Sequence, residues 1–396
     1  MKTILSNTTF KLFLAVIFGL LIGQIANEKV ITIILPLKHV LGQIIFFLVP
    51  IIVFGFIAPS ITRLKKNASK LLGISLLLAY LSSLGVAIFA AFVGYKSIPF
   101  LHIDTVTEST KEIPAMLFRL DIPPLFSVMS ALVLALMLGL AVTWTKSEKI
   151  ENALYQFQNI VSSMVNRFLI PILPFFIAAN FSVFSYEGSL VSQLPIFLAV
   201  VLIALVCNAI WLFVLYGAAG LYSRKNPWRV LKHYGPVILT AMGTQSSAAT
   251  LGVAIKAAKK SDALDDDVRD FSIPLFATTH LCGSVLDVVF LVIVISQVLY
   301  GGLPSFTTMA VFIPLLGIFA IGAPGVPGGT VVASLGLIQS VLGFDEAGTA
   351  LLLTVFALQD SFGTANNITS DGALSLFLSS YSDKRALQTN KNHPTP

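Results

Sequence analysis

Residues 351–381 read LLLTVFALQDSFGTANNITSDGALSLFLSSY. The stretch is long and apolar enough to cross a bilayer as a helix, which takes roughly 20 residues, yet it holds two acids, Asp360 and Asp371. An ionised carboxylate at the bilayer centre costs roughly 2.5–3.5 kcal/mol on insertion scales. Asp360, Thr364, Asn367 and Asp371 fall at i, i+4, i+7 and i+11, so a helix places all four on one stripe. Two acids, an amide and a hydroxyl suit a cation: an ammonium group, a metal ion or a proton. The plainer reading is a polar seam satisfied by neighbouring helices, but two acids exceed what a seam needs.

Outward from this stretch the composition sets the class. Of 396 residues, 56% are hydrophobic and 11% charged, and the mean hydropathy is +0.88. A soluble domain carries about 25% charged residues, so polar surface is too scarce here to solvate a globule. Further apolar runs occupy 10–25, 40–61, 71–93, 126–144, 194–218 and 288–300 with what precedes it. They lack the period-2 alternation of barrel strands, which leaves an all-α polytopic membrane protein. No small-residue cleavage site follows 10–25, so a removable signal is not expected. Cys207 and Cys282 both sit in apolar segments and define no disulfide framework.

The net charge of +6 does not call for a nucleic acid partner, because positive residues mark cytoplasmic loops in such a chain. Arg63/Lys65/Lys66/Lys70, Lys146/Lys149, Arg224/Lys225/Arg229/Lys232, Lys256/Lys259/Lys260 and Lys384/Arg385 form the clusters. Even numbers of crossings separate them, so one orientation satisfies all, with both termini in the cytoplasm. Trp144 and Trp228, beside positive clusters, read as interfacial anchors. The run Asp262/Asp265/Asp266/Asp267 reads as a solvated connector, and the tail beyond Lys384 as disordered.

After Lys232 the apolar segments become short and interrupted. Residues 236–260 begin and end beside positive clusters, which predicts a hairpin that dips in and returns. Residues 322–329, Gly-Ala-Pro-Gly-Val-Pro-Gly-Gly, break a second pair of apolar arms within 304–344, because no continuous helix tolerates that sequence. Irregular backbone at membrane depth survives only inside protein or beside a water-filled cavity. A pair of interrupted segments is the best sequence pointer to a transport site.

Two further groups carry polar chemistry. The first hairpin's tip, Thr244-Gln245-Ser246-Ser247-Ala248-Ala249-Thr250, offers backbone N–H groups and hydroxyls to an anion such as a carboxylate, although Ser and Thr also serve helix packing. The segment after Pro274 holds Thr278, Thr279, His280, Cys282, Gly283, Ser284 and Asp287. His280 and Asp287 are seven apart and would share a face of an unbroken helix. A lone intramembrane His is more often a packing residue than a proton carrier; near an acid it titrates in a useful range.

These pieces, in this order, resemble the glutamate/neutral amino acid transporter family, the dicarboxylate/amino acid:cation symporters. Thr-Gln-Ser-Ser-Ala-Ala-Thr-Leu (244–251) is similar to the first hairpin's T-R-S-S-S-G-T-L. Gly-Ala-Pro-Gly-Val-Pro-Gly-Gly (322–329) is similar to the second tip's G-T-A-G-V-P-G-A. Asp-Ser-Phe-Gly-Thr-Ala-Asn-Asn-Ile-Thr-Ser-Asp (360–371) is similar to the last helix's D-x-x-R-T-x-x-N-x-x-x-D. The resemblance covers essentially the whole chain.

It implies eight transmembrane helices plus two re-entrant helical hairpins, assembled as a homotrimer in the lipid of a bacterial inner membrane and working as an elevator. Scaffold spans one and two would occupy 1–68, with four and five in 98–187. The moving part would hold span three (69–97), span six (188–232), hairpin 1 (233–260), span seven (261–301), hairpin 2 (302–344) and span eight (345–383), followed by a cytoplasmic tail, 384–396. The amine-binding aspartate falls on Asp360, with Thr364 and Asn367 beside it. A sodium-ligating aspartate falls on Asp371. Ser246 and Ser247 map to substrate carboxylate contacts, and Gly325 and Val326 to backbone of the outer gate. Beyond co-transported Na+ or H+, no cofactor is implied, and no enzymatic activity.

The departures set the expected substrate. The arginine that clamps an acidic side chain is replaced by Gly363, and the first-hairpin arginine by Gln245. A buried substrate carboxylate would lack its charge partner, a loss of several kcal/mol, and glycine leaves volume. A neutral amino acid is therefore expected rather than glutamate, aspartate or a dicarboxylate, the acidic substrates being the alternative. In span seven the family's N-M-D-G-T reads His280-Leu281-Cys282-Gly283-Ser284. Cys is a poor ligand for hard sodium, which prefers oxygen. A second sodium site has Ala320 and Ala323 in place of serine and threonine. Ser82 and Ser83 still match a threonine–serine pair, and Asn367 and Asp371 keep most of one oxygen set. Coupling is expected to be reduced in sodium, carried by protons through His280, Asp287 or Asp371, or absent in favour of exchange. An anion-conducting pore is a further reading. An intramembrane aspartyl protease is a poor one, because Asp360 and Asp371 stand about 16 Å apart along one helix.

Overall fold

The computed structural model describes residues 8–66, 70–101, 111, 113–188, 194–323 and 325–392, and among these the chain is helical with no strand. The helices are α1 (Thr8–Ile25), α2 (Glu28–Lys66), α3 (Lys70–Ser97), α4 (Val128–Thr145), α5 (Glu148–Met164) and α6 (Ile170–Glu187), joined to α5 by one π-turn. There follow α7 (Leu194–Ser223), the single turn α8 (Trp228–Leu231), α9 (Gly235–Thr244), α10 (Ser247–Ala258), α11 (Asp266–Thr279) and α12 (Cys282–Tyr300). The chain ends with α13 (Phe306–Gly322), α14 (Gly329–Leu342) and α15 (Glu346–Asn392).

Five segments are long and apolar enough to cross a membrane: Glu28–Pro59, Leu71–Leu101, Glu148–Glu187, Leu198–Ser223 and Asp266–Tyr300. Several expose apolar side chains at helical spacing, such as Leu198, Leu202, Val206 and Phe213 on α7 and Leu77, Leu81, Ile88 and Phe92 on α3. Water would penalise such stripes, whereas hydrocarbon solvates them. The molecule is a multi-pass membrane protein.

Packing falls into two groups. In one, α1 lies on α6, and α2 packs against α4, α5 and α6. In the other, α15 is the hub and touches α7, α9, α11 and α12, while α3 packs on α12 and α13. Residues Cys282–Ser296 of α12 are all buried. A helix surrounded on every side in this way reads as continuously apolar.

Three interruptions are built locally. Gln245 adopts the left-handed conformation with φ 51° between α9 and α10, and Ser246 caps α10 by accepting from Ala249 N at 3.2 Å. α11 stops at Thr279, with His280 extended and Leu281 non-helical before α12 begins. α13 and α14 pack on each other, joined by the Gly- and Pro-rich segment 323–328.

Two expectations are corrected and one is extended. His280 and Asp287 do not share a helical face, because the chain breaks between them. The acidic run is a solvated connector, as expected, with Asp262, Asp265, Asp266 and Asp267 all exposed. In addition, Asp265 caps α11 through Val268 N at 3.0 Å, Asp262 pairs with Arg229, and Asp266 with Arg269. Residues 384–392 continue α15 instead of forming a disordered tail, since no Gly or Pro interrupts them before Pro394.

Candidate functional site

The middle of α15 meets all three interruptions. Asp360 is 3% exposed, and its Oδ2 accepts from Gly328 N at 2.8 Å. Gly328 immediately precedes α14, so the carboxylate lies at a helix N-terminus, where unpaired N–H groups and the dipole favour negative charge. Thr364 Oγ1 donates to Asp360 Oδ1 at 3.3 Å, one helical turn on. Gln245 reaches from the first tip and donates from Nε2 to Ala357 O at 3.1 Å and to Ser361 Oγ at 3.3 Å.

The two tips bind each other. Ser246 Oγ donates to Gly325 O at 2.5 Å, and Ala248 N donates to the same carbonyl at 3.4 Å. Ser247 is buried in the first turn of α10, while Gly325 and Val326 are half-buried. A cavity of about 550 Å3 lies beside the tips, lined by Ala248, Val326, Thr278, Phe56, Leu76 and Gln158 among others. Next to Asp360 itself the free space is only about 10 Å3. The Asp360 carboxylate and the Ser246 hydroxyl are thus held by neighbouring tip and helix groups, while Gln245 Oε1 stays buried without a hydrogen-bond partner.

Below this, Asn367 holds the broken helix. Its Oδ1 accepts from Gly283 N at 2.7 Å and Ser284 N at 3.1 Å, and Nδ2 donates to Ser284 Oγ at 2.8 Å. One side chain therefore satisfies two of the orphan donors at the start of α12. The close approach needs Gly283: a Cβ there would collide with Gly363 O.

A turn further on, His280 Nδ1 stands 3.0 Å from Asp371 Oδ1, and Nε2 2.8 Å from Ser82 Oγ on α3. His280 and Asp371 are wholly buried. Cys282 Sγ meets Ser370 Oγ at 3.2 Å. Sodium favours a cage of oxygens, and here an imidazole nitrogen and a thiol occupy the places beside Asp371. Ser83 Oγ is buried without a partner. Thr278 turns back to its own helix, donating to Leu275 O at 3.0 Å.

Asp287 is held apart from His280. Its Oδ1 accepts from Asn208 Nδ2 at 2.9 Å, and Asn366 Nδ2 donates to Asn208 Oδ1 at 2.7 Å. The volume expected from Gly363 is not empty, since Asp287 Oδ2 fills the place a Cβ would take. Asp287, Asp360 and Asp371 are all buried, and none is among the ion pairs formed by Lys or Arg in the described residues. Buried charge without a counter-ion is costly, so the arrangement suits the delivery of a positive group.

Asn208, Asn366 and Gln359 belong to this polar interior and escape the motif reading. Asn208 had a signal: it is a lone amide inside the apolar run 194–218, and polar side chains at that depth mark sites.

A sequence profile of the sodium:dicarboxylate symporter family matches residues 8–381. The neutral amino acid transporter B(0) of Rattus norvegicus is 28% identical over 171 residues, 43% of this chain and 30% of that protein. The excitatory amino acid transporter 1 of Ambystoma tigrinum is 29% identical over 198 residues, 50% of this chain and 36% of that protein. The chain thus spans about a third of the length of the curated relatives it matches. With its apolar helices and broken-helix site, the chain belongs to the sodium:dicarboxylate symporter family.

Proposed function

We propose that the protein is a secondary transporter that carries a small neutral amino acid across the membrane. The observation that carries this reading is buried Asp360 at the second helix break, with the first tip bonded to the same turn of α15, and a carboxylate paired only with N–H and O–H groups. A substrate ammonium placed on Asp360 supplies the missing charge. Its carboxylate then takes the N–H groups and hydroxyls of the first tip, Ser246 and Ser247. No guanidinium lies within this set to pair a second carboxylate, which favours neutral over acidic substrates.

The elevator reading rests on the two packing groups. Helices α3, α7 and α9–α15 would move as one body against α1, α2 and α4–α6, as eight spans with two re-entrant hairpins in a homotrimer. The charge clusters support an orientation with both termini in the cytoplasm, and the family resemblance supports a bacterial inner membrane.

For coupling, the imidazole against Asp371 favours a proton, or reduced sodium dependence, over a full set of sodium ions. Asp371 and Asn367 remain the candidate sodium ligands.

The test is thermal stabilisation of purified protein by a panel of amino acids, with and without sodium, at roughly pH 5.5 and 7.5 to bracket histidine titration. A ligand of the native state raises the melting temperature with occupancy. Stabilisation by neutral amino acids supports the reading. Stabilisation by glutamate or aspartate alone overturns its substrate, and sodium dependence against pH dependence separates the two couplings.

A further inference from the structure

Asp287 takes no part in the amine site on Asp360 or in the His280–Asp371 pair. It is 1% exposed, Oδ1 has Asn208 as its donor, and Oδ2 has no hydrogen-bond partner. Oδ2 rests on Gly363 so closely that no Cβ fits there. Gly363 lies one helical turn from Asp360 and adjoins Thr364, so the free oxygen sits beside the proposed amine position.

The surroundings of Asp287 share its imbalance. Asn366 Oδ1 and both polar atoms of Gln359 are also buried without a partner. The Gln359 carboxamide faces Asp287 without completing a bond. Asn366 fixes the Asn208 amide, whose NH2 is thereby turned on Asp287. The unpartnered atoms are three acceptors, Asp287 Oδ2, Asn366 Oδ1 and Gln359 Oε1, against one donor, Gln359 Nε2. Buried polar groups are almost always paired, and an unpaired acceptor retains its desolvation penalty. A proton on Asp287 Oδ2 would turn that atom into a donor and balance the four, at the cost of neutralising the carboxylate. A group bringing several N–H or O–H donors would serve the acceptors without that cost.

We propose that Asp287 selects the substrate's side chain: with the amine on Asp360, the side chain runs over Gly363 and ends in a hydrogen-bond donor on Asp287 Oδ2. This rests on the neutral amino acid reading above and names its class, side chains ending in a hydroxyl or a carboxamide. Asp287 moves off Gly363 to admit them, because its carboxylate fills that space when the site is closed. A carboxylate side chain meets an unpaired buried carboxylate and is refused. Gly363 is thus the partner of Asp287: any larger residue would displace the selecting oxygen.

The experiment measures binding of serine, asparagine, lysine, alanine, 2-aminobutyrate and aspartate to the purified full-length protein by titration calorimetry. Wild type, Asp287→Asn and Asp287→Ala are compared. Wild type is expected to prefer serine over alanine and over 2-aminobutyrate, which has similar bulk without the hydroxyl. Both substitutions should shrink that ratio, by about ten- to a hundred-fold for a charge-assisted bond. Lysine bound more tightly than serine would overturn this class together with the neutral-substrate reading, and the reverse supports both. Equal binding of serine, lysine and alanine by wild type would overturn the inference while leaving amino acid transport standing. So would an unchanged ratio in Asp287→Asn, the variant that keeps the shape should Asp287→Ala fail to fold. Binding of no amino acid by wild type would sink the transport reading itself, and this inference with it.

Discussion

His280 joins the break between α11 and α12 to two other helices, with Nδ1 3.0 Å from Asp371 Oδ1 on α15 and Nε2 2.8 Å from Ser82 Oγ on α3. With Asp371 ionised, Nδ1–H donates to the carboxylate and Nε2 accepts the Ser82 hydroxyl proton. A second proton turns Nε2 into a donor, and Ser82 must rotate to accept. One proton therefore changes contacts in three helices at once.

His280→Asn shortens the side chain away from Asp371, and Asp371→Asn replaces a charge-assisted bond by a neutral one, each at a cost of about 1–3 kcal/mol. Both variants should melt lower than wild type. If the coupled proton rides on this pair, uptake by His280→Asn in proteoliposomes loses its pH dependence between roughly 5.5 and 7.5. A wild-type pH profile retained in that variant would place the proton elsewhere.

Gly363→Ala drives a methyl group into Asp287 Oδ2. Overpacking of this kind costs about 1–3 kcal/mol. The double variant Gly363→Ala/Asp287→Ala should recover much of the loss, a coupling readable from a double-mutant cycle of melting curves.

Asn367→Ala removes the acceptor for Gly283 N and Ser284 N at the start of α12. The loss of a cap that serves two donors is expected to cost about 1–3 kcal/mol. Asn367→Asp keeps an acceptor and should fall less far in melting temperature, although the bond from Nδ2 to Ser284 Oγ is lost.

At the far end of α2, Asp121 accepts from Arg119 Nε at 2.9 Å and stands 3.2 Å from His39 Nε2. The Arg119 guanidinium holds the Asp121 carboxyl below its ordinary value of 3.8. A depressed folded pKa contributes stability above the unfolded value, and that contribution is lost as pH falls below 3.8 through the folded value. Arg119→Gln should therefore raise the Asp121 midpoint, measured by NMR titration of the carboxyl carbon.

Much of the site is visible in the chain because helical period translates directly into a stripe. Asp360, Thr364, Asn367 and Asp371 lie on one continuous helix, α15, where spacing alone fixes relative position. The breaks at 245–246 and 323–328 were equally plain, since Gly, Pro and small hydroxyl residues cannot sustain apolar helices. Asn208 and Asn366 were not visible as a unit, because 158 residues separate them. Spacing alone pairs His280 with Asp287, but a seven-residue interval fixes a common face only on an unbroken helix, and the chain breaks at His280–Leu281.

By itself the sequence determined the membrane class, the helical stripe of acids and the places where helices must stop. These follow from hydropathy and backbone preference, which act locally. Only the tertiary structure decided the partners: His280 with Asp371, Asn367 with the start of α12, and Asp287 with Asn208 over Gly363. Hydrogen bonds of that kind depend on which helices come to lie within about 3 Å of one another, and no local preference encodes that distance.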